Sequence, residues 1–179
     1  MLSVQSLSDA DRRLAAAWAA DCAEHVLPLF LAERPDDDRP ARLIERARAY
    51  ARGETDTATE ISRRFEGGVG AREVRSPITG AAARSAGQAA ATCHMGAHAL
   101  GAAGYAASAV SLANPDRREM VEAEIEWQLA QLTPGVRAAL RTLPMVGEDR
   151  SGPLGPGLLS TGEVGRAIRT LQERLSTGK

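Results

Sequence analysis

The chain has 179 residues, of which 22 are basic and 23 are acidic, so its formal net charge is -1. This length accommodates one buried core, and the balanced charge gives no positive field for a nucleic-acid backbone or an anionic membrane. Two cysteines, Cys22 and Cys93, are too few for a disulfide framework. The N-terminus "MLSVQSLSDADRR" has neither the basic region nor the apolar region of a signal peptide. We therefore expect a cytoplasmic protein that binds neither nucleic acid nor membrane.

The hydrophobic pattern predicts helices throughout. Only six residues are aromatic and β-branched runs are almost absent, so no segment shows the alternation of a strand. Ser8 with Asp11 predicts a capped first helix, in which Pro28 is expected to kink the last turn. Its apolar positions recur at steps of three and four residues: Leu14, Trp18, Cys22, Val26, and Leu29 or Phe30.

The acidic stretch "ERPDDDRP", residues 33–40, predicts a turn. Asp38 can cap the second helix there, Pro40 fits its first turn, and Gly53 closes it. A short third helix is expected over about 55–65. The following stretch, "EGGVGAREVRSP", gives no clear prediction.

Residues 77–112 predict the central helix of the bundle. Between 81 and 110, eighteen of thirty residues are alanine or glycine, which lets neighbouring helices approach closely. One straight helix of this length would be long for the domain, so we expect a bend near Gly96, Gly101 or Gly104.

Two more helices and a tail complete the predicted all-α bundle. Asn114 and Pro115 should start a helix that turns its glutamates outward and its apolar residues inward, namely Met120, Ile125, Leu129 and Leu132. Pro134 should open a short helix that ends near Leu143. We expect a helical bundle over 1–143, a Gly/Pro-rich linker over 144–159, and a C-terminal amphipathic helix over 160–179 that a capping box of Ser160 and Glu163 begins.

The stretch "ATCHMGAHAL", residues 91–100, sets His94 and His98 four residues apart, the spacing that puts two imidazoles on one helical face. A zinc-protease helix would carry glutamate where this chain has Met95. Two ligands are not enough for a metal site, so a third would have to come from another part of the chain. The remaining soft donors are Cys22 and His25, and Glu24 and Asp21 are possible carboxylate ligands. The alternative is that the histidines bond across a helix interface or line a groove, so we predict no metal and no cofactor.

A cysteine nucleophile is a weaker hypothesis. Cys93 and His94 point about 100° apart on a helix, so a thiolate would need His25 or His98 from another element. Buried cysteine acting as a small hydrophobic residue is the simpler interpretation.

Three stretches resemble the actinobacterial immunity-five-like immunity protein family over about residues 9–130: "LAAAWAADCAEHVLPLF", "ERPDDDRPARLIERARAYARGE" and "AARSAGQAAATCHMGAHALGAAGYAASAV". The residues that match the family pattern are Trp18, Cys22, Glu24, Pro28, Asp38, Arg39, Pro40, His94, His98 and Tyr105. The resemblance implies an all-helical fold and an immunity role. This chain departs from the family pattern at Gln88, where the pattern has histidine, and over residues 62–78. Residues 144–179 lie outside the resemblance.

The favoured function is an immunity-type binding protein, not an enzyme, that occludes a cognate toxin through the 33–40 turn, with Asp36, Asp37 and Arg39 as partner-binding residues. The alternative is a small-molecule-binding protein or enzyme of natural-product biosynthesis or self-resistance. Its ligand-binding residues would be Trp18, Cys22, Glu24, His94, His98 and Tyr105, and His94, His98 and His25 would be its catalytic residues. In that case the tail helix could act as a lid. A third hypothesis is that helix 160–176 packs on a second subunit and makes a homodimer.

Overall fold

The computed structural model describes residues 3–70 and 72–177. Within these ranges the chain forms eight α-helices and two short 3-10 helices and contains no β-strand. The all-α prediction is thus confirmed. The α-helices are α1 (Asp9–Leu31), α2 (Arg39–Ala51), α3 (Thr57–Ser62), α4 (Pro77–Ala91), α5 (His98–Ala113), α6 (Arg118–Ala130), α7 (Pro134–Arg141) and α8 (Gly162–Thr177); the 3-10 helices span Val4–Ser6 and Leu158–Ser160.

Helices α4 and α5 form the centre of the bundle. They pack on each other, and α1 packs on both, while α8 and α6 cover α5 and α2 covers α4. Small side chains allow this close packing: a Cβ added to Gly104 would lie only 2.8 Å from Cγ1 of Ile168 on α8. The Ala/Gly-rich segment is therefore the central element, as predicted, but it is two helices rather than one.

The N-terminal half follows the sequence pattern closely. Ser8 caps α1, because its Oγ accepts a hydrogen bond from the Asp11 amide at 3.1 Å and donates to the Asp11 carboxylate at 2.7 Å. The predicted apolar positions Trp18, Cys22, Val26 and Phe30 are buried, whereas Leu14 is 42% exposed. Asp38 lies at the N-cap of α2 without a side-chain capping bond and pairs instead with Arg42 at 2.8 Å.

Helix α1 is also long and apolar enough to cross a membrane by length and composition alone. Half of its most apolar window is buried inside the bundle, as in the core helix of a globular domain. Its apolar face contacts α4, α2 and α5.

Two predicted helix starts were wrong. Helix α6 begins at Arg118 rather than Pro115, because Asp116 has a φ of +67°, which is incompatible with a helix. Ser160 does not cap α8: its hydroxyl accepts from the Gly157 amide and donates to the Gly157 carbonyl, both at 2.9 Å, and α8 begins at Gly162, where φ is +59°.

The C-terminal segment packs on the rest of the chain. Ile168, Leu171 and Leu175 of α8 are buried, and α8 covers α5 of the same chain, so its apolar face is already occupied. In the Gly/Pro-rich segment before it, Leu154 is fully buried, and the Gln5 side chain holds this segment through bonds of 2.8 Å to the Asp149 carbonyl and the Leu154 amide.

Candidate functional site

His94 and His98 lie at the junction of α4 and α5. The helix stops at Ala91 and resumes at His98, and the amides of Gly96 and Ala97 donate to the Ser6 and Gln5 carbonyls at 3.2 and 2.9 Å. Only glycine fits at position 96, because an added Cβ would meet the Leu7 side chain at 2.4 Å. The two histidines therefore do not share one helical face, although their ring centroids are 5.3 Å apart in an edge-on arrangement.

Gln88 fixes the orientation of His98. The His98 Nδ1 and Gln88 Oε1 atoms are 2.8 Å apart, and because an amide oxygen only accepts, Nδ1–H is the donor. Gly101 makes room for this bond, since a Cβ there would lie 2.2 Å from Oε1. Burial, and then the neighbouring His94, lower the pKa of His98 to about 4. His98 is therefore neutral near pH 7.

His94 borders a cavity of about 260 Å³. Burial lowers the pKa of His94, and the positive charges of Arg64 and Arg12 lower it further. The cavity lies between α2, α3, the C-terminal half of α4 and the loop after α3. Its lining residues are Leu43, Arg46, Glu60, Arg64, Phe65, Glu66, Gly68, Gly87, Ala90, Ala91 and His94.

A buried ion pair forms the inner polar wall of this cavity. Arg46 donates to Glu60 through Nη2 at 2.8 Å and Nε at 3.1 Å, and the Glu60 side chain is 1% exposed. The Thr55 hydroxyl adds a bond of 3.3 Å to the same carboxylate. Because both charges are matched, this pair serves the fold and leaves little net charge for a ligand.

A second polar cluster connects α1 with α6. The Trp18 indole donates to the Gln128 carbonyl at 2.8 Å, and the Gln128 side-chain amide donates to Glu124 at 2.7 Å. Glu124 in turn lies 2.7 Å from Nδ1 of His25, whose ring stacks on Trp127 with centroids 3.7 Å apart. Cys22 is buried beside this cluster, and burial, with the nearby Glu124 charge, raises its pKa well above the ordinary value.

The prediction that all glutamates of α6 face solvent was thus wrong for Glu124, whose side chain is 2% exposed. Gln128 is also buried, and its Oε1 has no hydrogen-bond partner within the described residues. The spacing of Val121, Glu124 and Gln128 carries the relevant signal, because residues three and four apart share a helical face.

The contacts divide the predicted ligand-binding residues into separate groups. Trp18, Cys22 and His25 belong to the α1–α6 cluster, and His94 and His98 belong to the α4–α5 junction. Glu24 forms an ion pair with Arg48 at 2.6 Å, and Arg48 lowers the pKa of Glu24. Tyr105 lies under Arg84, whose guanidinium carbon is 5.9 Å from the ring centroid. Across the described ranges, no group of three or more histidine, cysteine, aspartate or glutamate side chains could hold a metal ion.

The residues predicted to bind a partner differ in how available they are. Asp36 is exposed, but Asp37 pairs with Arg39 at 2.8 Å and with Arg34 at 3.2 Å. Arg39 lowers the pKa of Asp37 to about 2 and also pairs with Glu73 at 2.8 Å. Asp37 and Arg39, which were predicted to bind a partner, thus use their charges in ion pairs that fix the 33–40 turn to the loop before α4.

The 61–68 segment was not predicted to be functional. Phe65 is 84% exposed there, Ile61 is also exposed, and the Arg64 guanidinium lies 4.5 Å above the Phe65 ring. Arg39 joins this segment to the 33–40 turn through a bond of 3.4 Å to the Gly68 carbonyl. An aromatic residue in a short polar, glycine-containing stretch is the one local signal that could have indicated it.

The molecule is thus an all-helical bundle with a rigid acidic turn, an exposed aromatic segment beside it, and a small histidine-bordered cavity. Residues 5–134 match the family model described as Imm-5 like putative immunity protein. The chain belongs to this immunity protein family, which confirms the resemblance. No curated protein matches the chain. No solved structure matches it either.

Proposed function

We propose that this protein neutralises a cognate bacterial toxin in the cytoplasm by non-covalent binding. The observation that carries the proposal is membership of an immunity protein family over residues 5–134. Inhibition by occlusion requires complementary shape and charge and no catalytic group.

The surface best suited to the toxin combines the 33–40 turn with the 61–68 segment. Arg64 is of a residue type that often dominates binding energy at protein interfaces, and aromatic residues such as Phe65 are enriched there. The internal ion pairs of Asp37 and Arg39 hold the turn before any partner arrives, which reduces the entropy lost on binding. Asp36 remains exposed for a direct polar contact.

The test is protection of cells from the toxin. We expect a toxin gene immediately upstream of this one, and co-expression of the wild-type protein should restore the growth that the toxin arrests. Phe65→Ala should weaken binding by about tenfold or more and abolish protection, because it removes the exposed anchor. Leu158→Ala is the matched control, since Leu158 is 81% exposed and lies before α8, outside the proposed surface.

Two results would count against the proposal in different ways. Growth arrest that the wild-type protein does not relieve, or neighbouring genes for polyketide or peptide synthetases, would argue against the immunity role. Protection by Phe65→Ala equal to that by Leu158→Ala would retain the role and reject this surface.

A further inference from the structure

The cavity beside His94 has a charge that the fold does not compensate. Arg46 is paired with Glu60, and Glu66 is paired with Arg63 at 2.9 Å. Arg64 donates one bond to the Ile61 carbonyl at 3.0 Å, and within residues 3–70 and 72–177 no carboxylate lies at ion-pair distance from it. The lining therefore presents one unbalanced guanidinium.

His94 adds a polar group with spare hydrogen-bonding capacity. Neither of its ring nitrogens has a hydrogen-bond partner in the described part of the chain, and Arg64 is near enough for its charge to lower the His94 pKa. A neutral imidazole N–H and a guanidinium that border the same cavity can both donate to one anion.

The rest of the lining fits an apolar body. Leu43, Phe65, Ala90 and Ala91 contribute hydrocarbon surface, and Gly87 leaves the α4 wall without a side chain. A volume of about 260 Å³ is just below the usual range for drug-sized ligands and holds about ten non-hydrogen atoms.

We propose that this cavity binds a small monocarboxylate with a flat apolar body, its carboxylate between Arg64 and His94 and its body against Leu43, Phe65 and Ala90. A single negative charge matches the single unbalanced guanidinium. A phosphate dianion fits less well, because the one unbalanced guanidinium would match only one of its two charges. The proposal is independent of toxin binding, because the ligand would bind to the protein in the absence of a toxin.

The test uses the 179-residue chain with benzoate as the probe, and NMR and calorimetry measure the binding. We expect saturable binding, shifts confined to resonances of cavity residues such as Gly87 and Ala90, and a His94 pKa that rises when benzoate is present. Arg64→Gln should weaken benzoate binding by about tenfold or more, because a charge-assisted hydrogen bond is lost, and His94→Gln should also weaken it. Both side chains lie at the surface of the cavity rather than in the core, so both variants should fold.

Arg72→Gln is the matched control, because Arg72 is an exposed arginine of the same loop that does not line the cavity. This variant loses the same charge as Arg64→Gln but no contact with the cavity, so it should bind benzoate within about twofold of the wild type. Methyl benzoate, which has the same ring without the charge, should bind much more weakly than benzoate. Equal binding of the two compounds, tighter binding of inorganic phosphate, an equal loss in Arg72→Gln, or the absence of saturable benzoate binding would each overturn the proposal.

Discussion

The largely buried imidazole of His98 should make the fold less stable at mildly acidic pH. Burial and the adjacent His94 lower the pKa of His98 from 6.5 to about 4. The unfolded chain therefore takes up a proton at about pH 6.5, whereas the folded chain resists it until about pH 4, and protonation favours unfolding between these values. This loss in the free energy of unfolding is nearly absent above pH 6.5 and grows as the pH falls. It reaches about 2 kcal/mol at pH 5 and about 3 kcal/mol below pH 4.

The assay is urea unfolding, followed by circular dichroism, of the wild type and His98→Gln over the range from neutral pH to about pH 5. Glutamine can still donate to Gln88, so the variant keeps the contact and loses the titration. We expect the free energy of unfolding of the wild type to fall by about 2 kcal/mol more than that of the variant. Asp9 and Asp37, with pKa values of about 2, lose their stabilising effect below about pH 4 and do not interfere. Equal pH dependence of the two proteins would refute the reasoning.

Two further predictions concern the core. Gly104→Ala should lower the free energy of unfolding by about 1–3 kcal/mol, because the added methyl group meets Ile168, and Ile168→Ala should lower it by about 2–5 kcal/mol. The double variant should lose less than the sum of these two values, because the added methyl group fills the space that Ile168 leaves. Additivity within about 0.5 kcal/mol in urea unfolding would contradict this close packing of α5 on α8. Burial raises the pKa of Cys22 well above its ordinary value and the pKa of Cys93 to about 12. Iodoacetamide at pH near 8 should therefore modify neither thiol in the native protein and both thiols in urea, which mass spectrometry would detect. One adduct on the native protein would show that its site opens locally.

The sequence predicted the helices well, because local signals set where most of them begin. The Ser8 cap and the apolar spacing of α1 act over a few residues and need no information from the rest of the chain. The same holds for α7, which Thr133 caps and Pro134 begins. Membership of the family and the all-α class followed from this local pattern together with the resemblance.

The break between α4 and α5 could not be derived in the same way. Nothing in the alanine-rich run stops a helix, and the interruption depends on bonds from Gly96 and Ala97 to the carbonyls of Ser6 and Gln5, some ninety residues earlier. Gly96 was one of three candidates for a bend, and its bond to the Ser6 carbonyl distinguishes it from Gly101 and Gly104, which lie inside α5.

The polar clusters were missed for a related reason. Glutamate is rarely buried, so an outward orientation was the reasonable prediction for Glu124. Its burial is tolerable only because His25 from α1 and Gln128 from its own helix both bond to it. The cavity beside His94 likewise depends on Arg64 and Phe65, which were expected at the end of the third helix and instead lie in the loop after α3.

Gln88 determines what the histidine pair can do in this chain. A third histidine there would supply a further imidazole ligand next to His94 and His98. The amide oxygen instead accepts from Nδ1 of His98, which fixes one tautomer, and Gly101 is required for the two groups to approach. His98 uses its Nδ1–H in this bond and is neutral near pH 7, whereas neither ring nitrogen of His94 has a hydrogen-bond partner among the described residues. Binding chemistry in this protein is therefore expected on the Arg64 side of the junction, where a charge is unbalanced, and not between the two imidazoles.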